Sequence, residues 1–187
     1  MSKGKLFVFS GASGVGKSTV LRGVMQKRDD LRFSVSATTR APRPGEVEGE
    51  SYYFVSKERF KQMIAEDAFL EYDDHMDNFY GTPTAQLEDK LQTGSVILDI
   101  DPNGAFAVQS KCPDAILVFI APPSLEELEN RLRGRGDTDE SQIQKRLNRV
   151  RWEMEQGKRY NHMVINDRVD DCVDTILKII ANACDEE

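Results

Sequence analysis

Gly11-Ala12-Ser13-Gly14-Val15-Gly16-Lys17-Ser18 has the spacing G-x-x-x-x-G-K-[ST], and the chemistry of that pattern is phosphate binding. The glycines let the backbone turn tightly, so successive N–H groups point into one concave nest. A helix beginning at the end of the loop directs its positive dipole end at the same point. Lys17 adds a point charge for the outer phosphates of a nucleotide, and the Ser18 hydroxyl can ligate Mg²⁺. The flanks are of the required kind. Lys5-Leu6-Phe7-Val8-Phe9-Ser10 reads as a short buried strand, and Val20, Leu21 and Val24 share one helical face. A turn that merely joined a strand to a helix would not need the Lys-Ser pair.

Two more groups of residues have chemical potential. Asp99 ends an apolar run, as the Walker-B acid does in P-loop proteins, which would set a carboxylate near Mg²⁺ held with the loop's phosphates. Asp101 points to the same side of that strand. Arg40 and Arg43 flank a proline turn in Thr38-Thr39-Arg40-Ala41-Pro42-Arg43-Pro44-Gly45-Glu46. Paired guanidinium forks suit the oxygens of a second phosphate group, and Tyr52 and Tyr80 can add hydroxyl donors.

The elements that must position these groups alternate. Val96–Asp101 and Ala115–Ile120 are predicted as central parallel strands, with a last short strand over His162–Asn166. Between them lie helical patterns. Thr82 is predicted to cap one, with Pro83 at its first position, Leu87 and Leu91 on its buried face and Gly94 past its end. Ser124 and Glu127 form a capping-box pattern before Leu128 and Leu132. Val169, Val173, Ile176, Leu177 and Ile180 give a C-terminal helix its apolar stripe. This rhythm predicts an α/β fold with a mainly parallel sheet. Two stretches break it. Residues 34–81 read as a small mixed or antiparallel insertion with one helix near 57–66, and residues 134–141 read as a polar loop, a candidate mobile lid.

The chain of 187 residues is long enough for one domain with insertions. Its net charge of −7 argues against a general nucleic-acid binder, although Arg131, Arg133, Arg135, Lys145, Arg146, Arg149, Arg151, Lys158 and Arg159 concentrate positive charge in one stretch. No apolar run approaches the roughly 20 residues of a membrane span. The start of the chain has no signal-peptide pattern, and Cys112, Cys172 and Cys184 are scattered, so a cytoplasmic protein with reduced thiols is expected.

The Thr38–Phe54 block is the most specific feature. Its Thr-Thr-Arg, then Arg, Glu, Gly and Tyr-Tyr-Phe, resembles the signature of guanylate kinases. The loop resembles the family's Gly-x-Ser-Gly-x-Gly-Lys-Ser-Thr. Tyr80-Gly81-Thr82, Leu98-Asp99-Ile100-Asp101, Pro122-Pro123-Ser124, the Arg131–Gly136 run and Ile165-Asn166-Asp167 follow in the family's order, so the likeness covers nearly the whole chain. One departure stands out: Pro102-Asn103-Gly104 replaces an apolar residue and Gln before Gly.

The resemblance implies a P-loop three-layer α/β fold with a central parallel sheet. It implies a single domain over 1–187, with a core at 1–33, 82–134 and 158–187, a GMP-binding insertion near 34–81 and a lid near 135–157. It also implies ATP-dependent phosphorylation of GMP, and of dGMP, to the diphosphate, with Mg²⁺ as cofactor and the two nucleotides as partners of a monomer or homo-oligomer. ATP would lie on Gly11, Ala12, Ser13, Gly14, Val15, Gly16, Lys17, Ser18 and Thr19, its adenine near Asn166 and Asp167, and the metal near Ser18 and Asp99. Arg40, Arg43, Tyr52 and Tyr80 match contacts to the GMP phosphate. Glu71 matches a carboxylate that grips the guanine edge, Ser36 and Thr82 hydroxyls that meet O6, and Asp101 a further base contact. Lys17, Arg43, Arg135 and Arg146 would be catalytic, the last two closing over the transferred phosphoryl group, with Arg131 beside them. The rival readings are an inactive guanylate-kinase-like scaffold, a P-loop kinase for another acceptor and a GTPase. The intact P-loop speaks against the first, Glu71 with Ser36 and Thr82 against the second, and the lack of an N-K-x-D motif against the third.

Overall fold

The computed structural model describes residues 4–75, 77–133 and 140–185. In chain order the elements are β1 (Leu6–Gly11), α1 (Lys17–Lys27), β2 (Leu31–Phe33), β3 (Ala37–Thr38), β4 (Tyr53–Phe54), α2 (Lys57–Ala65), β5 (Phe69–His75) and β6 (Asn78–Pro83). There follow α3 (Thr84–Thr93), β7 (Ser95–Asp99), α4 (Pro102–Lys111), β8 (Ile116–Ala121), α5 (Leu125–Arg133), α6 (Glu140–Gly157), β9 (His162–Ile165) and α7 (Val169–Asp185). Strands of the larger, parallel sheet run in the order β2-β7-β1-β8-β9, so its connections are crossovers that carry the helices. The predicted α/β class with a central parallel sheet therefore holds.

The chain divides into two compact units, one joining residues up to Val8 with Asp30–Ala115, the other joining Phe9–Asp29 with Ile116–Glu187. In the first unit a smaller sheet has the order β4-β3-β6-β5. It is mixed: β3 pairs parallel with β4 and antiparallel with β6. Its core is Ala37, Phe60 and Phe69, and the Phe60 ring stacks on Phe69 at 4.5 Å and on Phe79 at 5.4 Å. Ser56 starts α2 by accepting the Arg59 N–H, and the insertion predicted from 34–81 is this sheet with its one helix. The predicted cap of α3 is not formed. Thr82 remains in β6, the helix begins at Thr84 after Pro83, and no side chain caps it, because the Thr82 hydroxyl is spent on Glu71. Leu87 and Leu91 are buried as expected.

In the second unit β8 is buried along Leu117–Ile120, and α1 packs on α7, where Gly23 admits the Val173 side chain. Ser124 accepts the Glu127 N–H at 3.0 Å, the hydroxyl contact expected of the capping box. Tyr160, just after α6, sets its ring edge-on to Phe119 at 5.4 Å and donates its hydroxyl to Ser10 at the end of β1.

Because Phe60 is fully buried between two rings, F60A should destabilise the protein by about 3–5 kcal/mol in urea unfolding. A loss under 1 kcal/mol would mean that the smaller sheet does not depend on this core.

Candidate active site

In the second unit the phosphate loop joins β1 to α1. Gly16 caps the helix at φ 91°, a left-handed conformation that side chains rarely adopt, and a Cβ there would lie 3.2 Å from the Asn166 amide nitrogen. The Thr19 and Val20 N–H groups of α1 donate back to the Gly16 carbonyl at 3.0 and 3.2 Å, and the N–H groups ahead of them precede the helix's own hydrogen bonding. The base of the loop is fixed from inside the unit. The Ala12 N–H donates to the Ile120 carbonyl at 3.2 Å, and the Val15 N–H to the Ala12 carbonyl at 3.0 Å. Asn166 is buried, and its Nδ2 donates to the Val15 carbonyl at 2.8 Å. Its Oδ1 is buried with no protein partner among the described residues. Asn166 thus braces the phosphate loop, a role that its expected place beside adenine did not include. Asp167 and Ser18 are exposed, and Lys17 is half-buried.

Arg146 and Arg149 lie on α6, both half-buried. Arg149 sits over the Trp152 ring at 4.3 Å and donates through Nε to Glu153 at 3.0 Å. The other oxygen of Glu153 accepts the Ser13 N–H of the loop at 2.8 Å. Sequence reasoning missed Glu153, but a signal was there. Ile143, Leu147 and Val150 form the buried stripe of α6, and Glu153 continues it. Arg135 lies outside the described residues, as does the side chain of Arg131.

In the first unit Arg40, Tyr52 and Tyr80 come together. Arg40 sits 5.4 Å over the Tyr52 ring, and the two tyrosine rings meet edge-on at 6.1 Å. The Arg40 guanidinium donates to Glu46 at 2.8 Å and to the Ala41 carbonyl at 2.7 Å. Its proton is held more firmly than usual, chiefly by the Glu46 hydrogen bond, and Glu46 in turn is held below the usual carboxylate range by Arg40. The Arg43 N–H donates to the second oxygen of Glu46 at 2.7 Å. Glu46, rather than the proline, is therefore the clip that binds the turn, while the Arg43 side chain stays exposed. Burial first, then the charge of Asp99, pushes the Tyr52 phenol up, so it stays a neutral donor.

Glu71 is the second centre of this unit. It is 6 % exposed and accepts the Thr82 hydroxyl at 2.6 Å from the facing strand. Leu70 and Glu71 are both buried although adjacent in a strand, because the register shifts between Phe69 and Glu71. Lys111 fixes the shift by donating to the Leu70 carbonyl at 2.6 Å. A Cβ on Gly104 would lie 2.7 Å from Glu71 Oε2, so a side chain there would push the carboxylate from its present place. Asp101 caps α4 by accepting the Gly104 N–H at 2.9 Å, with Pro102 in the first turn. The departure from the family pattern thus fits a helix start. Asn103 hydrogen-bonds Asp73, whose carboxyl is raised by burial and by the neighbouring Asp101. Ser36 is half-buried, and its carbonyl accepts the Tyr53 N–H at 2.9 Å. Burial pushes the Glu71 carboxyl up to about 7, against the hydrogen bond from Thr82 and with help from the Asp101 charge.

A family model described as Guanylate kinase matches residues 3–183. The chain is similar to a guanylate kinase of Caldanaerobacter subterraneus subsp. tengcongensis, with 47 % identity over 95 % of this chain and 87 % of that protein. It is similar to a second from Latilactobacillus sakei, with 45 % identity over 96 % of this chain and 89 % of that one. The crystal structure of a guanylate kinase from Anaplasma phagocytophilum matches with a TM-score of 0.78 and 32 % identity, covering 97 % of this chain and 86 % of that chain.

The raised Glu71 carboxyl makes stability depend on pH. A folded value of about 7 above an unfolded 4.5 means a contribution that is full below about pH 4.5 and lost as pH rises through about 7. Ionised Glu71 in the ligand-free protein then costs on the order of 3 kcal/mol. In urea unfolding E71Q should match the wild type near pH 5 and exceed it by about 1–3 kcal/mol near pH 8.5. A gap that does not widen with pH would remove burial as the cause.

Proposed function

The chain belongs to the guanylate kinase family and is a kinase that phosphorylates GMP with ATP; on that premise we propose the residues that do it and how. The observation that carries the assignment of the base site is buried Glu71 on its Thr82 partner. Guanine offers N1–H and the N2 amine as adjacent donors, and an ionised carboxylate accepts both. Adenine would present an acceptor at N1 to the same carboxylate, and a buried mismatch of that kind discriminates steeply. Ser36 and Thr82 are assigned to the guanine O6, and Asp101 to the base edge beside its capping role.

Arg40, Arg43, Tyr52 and Tyr80 are assigned to the GMP phosphate. The support is the Arg40–Tyr52–Tyr80 cluster and the exposed Arg43 guanidinium on the same clipped turn. The loop residues 11–19 are assigned to the ATP phosphates, with Lys17 on the outer ones, and Asn166 and Asp167 to the adenine side. Arg146 and Arg135 are assigned to the transferred group. Ser18 and Asp99 offer a hydroxyl and a carboxylate, hard oxygen donors that suit Mg²⁺ carried by a nucleotide. When bound, the metal supplies charge neutralisation and orientation of the triphosphate.

The acceptor phosphate has a second pKa near 6, so it is largely a dianion at neutral pH and needs no general base. One of its oxygens attacks the γ-phosphorus of ATP. The bond to the β–γ bridging oxygen breaks, and ADP leaves with that electron pair. The protein's work is to hold two polyanions in line and offset their repulsion with Lys17 and the arginines. No helix among the described residues is long and apolar enough to cross a membrane. Cys112, Cys172 and Cys184 are not joined in disulfides, which supports a reducing, cytoplasmic setting.

ADP release from Mg-ATP with GMP, AMP, CMP, UMP or no acceptor tests this reading. Turnover with GMP alone is expected, and turnover with another nucleotide would remove Glu71 from base recognition. E71Q should lower kcat/KM for GMP about 10–100-fold, the worth of a charge-assisted hydrogen bond. Wild-type affinity for GMP should rise relative to E71Q as pH increases through about 7, because only ionised Glu71 accepts both donors.

A further inference from the structure

Glu153 is 7 % exposed on the apolar stripe of α6, where an ionised carboxylate is disfavoured unless donors meet it. Two do: the Ser13 N–H at 2.8 Å on one oxygen and Arg149 Nε at 3.0 Å on the other. Helix building does not account for the arrangement. In an i,i+4 pair the order with the cation first is the weaker one. The Ser13 contact instead spans 140 residues of sequence and joins α6 to the third residue of the phosphate loop. A carboxylate also has the wrong charge to stand beside a loop that receives polyphosphate, and Arg149 offsets that charge at the point of contact. The Arg149 guanidinium is in turn held over Trp152 at 4.3 Å, so loop, carboxylate, arginine and indole form one connected series.

We propose that Glu153 is a positioning residue for ATP. It fixes the first half of the phosphate loop through the Ser13 N–H, and it sets α6 in register with that loop. Arg146 lies seven residues before Glu153, close to two helical turns, and so shares its face of α6. The loop is thereby shaped before ATP arrives, and the Ser13 N–H is withdrawn from the phosphate cradle, which later amides of the loop form. The inference rests on the ATP-binding reading of the loop given above. It predicts a loss confined to one of the two substrates.

Calorimetric binding of Mg-ATP and, separately, of GMP to the full-length wild type and E153Q tests it. Trp152, the chain's one tryptophan, gives a local fluorescence readout. E153Q should weaken Mg-ATP binding about tenfold, leave GMP binding within twofold and change the Trp152 emission. R149K keeps the charge but not the Nε donor and should weaken Mg-ATP about threefold with the same selectivity; it carries the test should E153Q fail to fold. A merely structural role would lower the melting temperature and leave both affinities of the folded protein unchanged. That result, or an equal loss for both nucleotides, overturns the proposal. If the wild type binds Mg-ATP but not GMP, the kinase reading fails while the effect of Glu153 on Mg-ATP can still be read.

Discussion

A carboxylate taken out of water must be met by donors, and among the described residues Glu71 and Glu153 are buried in different states of satisfaction. Glu153 has a backbone N–H on one oxygen and a guanidinium on the other. Glu71 accepts the hydroxyl and a backbone hydrogen bond of Thr82, and Gly104 in the first turn of α4 comes close to its second oxygen. The first arrangement neutralises a charge and fixes a loop. The second leaves a charge costly until a ligand brings N–H donors to it, and that is why its carboxyl moves up to about 7. The same physics lets one carboxylate position a loop and, on the reading proposed above, lets the other recognise a base. On the assignment proposed above, a ligand that repays the cost of ionising Glu71 is selected by its donors, and guanine has them where adenine does not.

The sequence revealed the chemistry better than it revealed the contacts. The phosphate loop follows from its spacing because backbone geometry and a lysine at fixed offsets are local properties. The helical faces of α1, α3 and α7 follow from periodicity, and Val20, Leu21, Val24, Leu87, Leu91 and Ile176 are buried as that periodicity requires. Thr82 shows where local reasoning ends. A threonine before Pro83 reads as a helix cap, yet its hydroxyl goes to a carboxylate eleven residues earlier on the facing strand. Glu71 itself looks like a surface residue, because the register shift that turns it inward beside buried Leu70 leaves no simple mark in the chain. Glu46 was visible as part of a motif, but its use of both oxygens, one for Arg40 and one for the Arg43 N–H, needed the folded turn. Glu153 and Asn166 join segments 140 and 151 residues apart, and no spacing rule reaches that far.

The two arginine systems follow one rule that motif reading does not supply. Arg40 and Arg149 each carry a carboxylate of their own, Glu46 and Glu153, and each lies over an aromatic ring, Tyr52 and Trp152. A long cation otherwise loses rotamer freedom when it grips a phosphate, at about 0.5–1.5 kcal/mol for each immobilised side chain. Stacking and an internal counter-charge incur that loss during folding rather than at binding. Both pairs are largely shielded from water, with Glu153 the more deeply buried carboxylate, so each guanidinium is already held by its counter-charge when a ligand arrives. The negative net charge of the chain fits the same logic. The arginines need not create a broad positive surface, which would attract any polyanion. Glu46 and Glu153 hold Arg40 and Arg149 locally, each beside its own counter-charge.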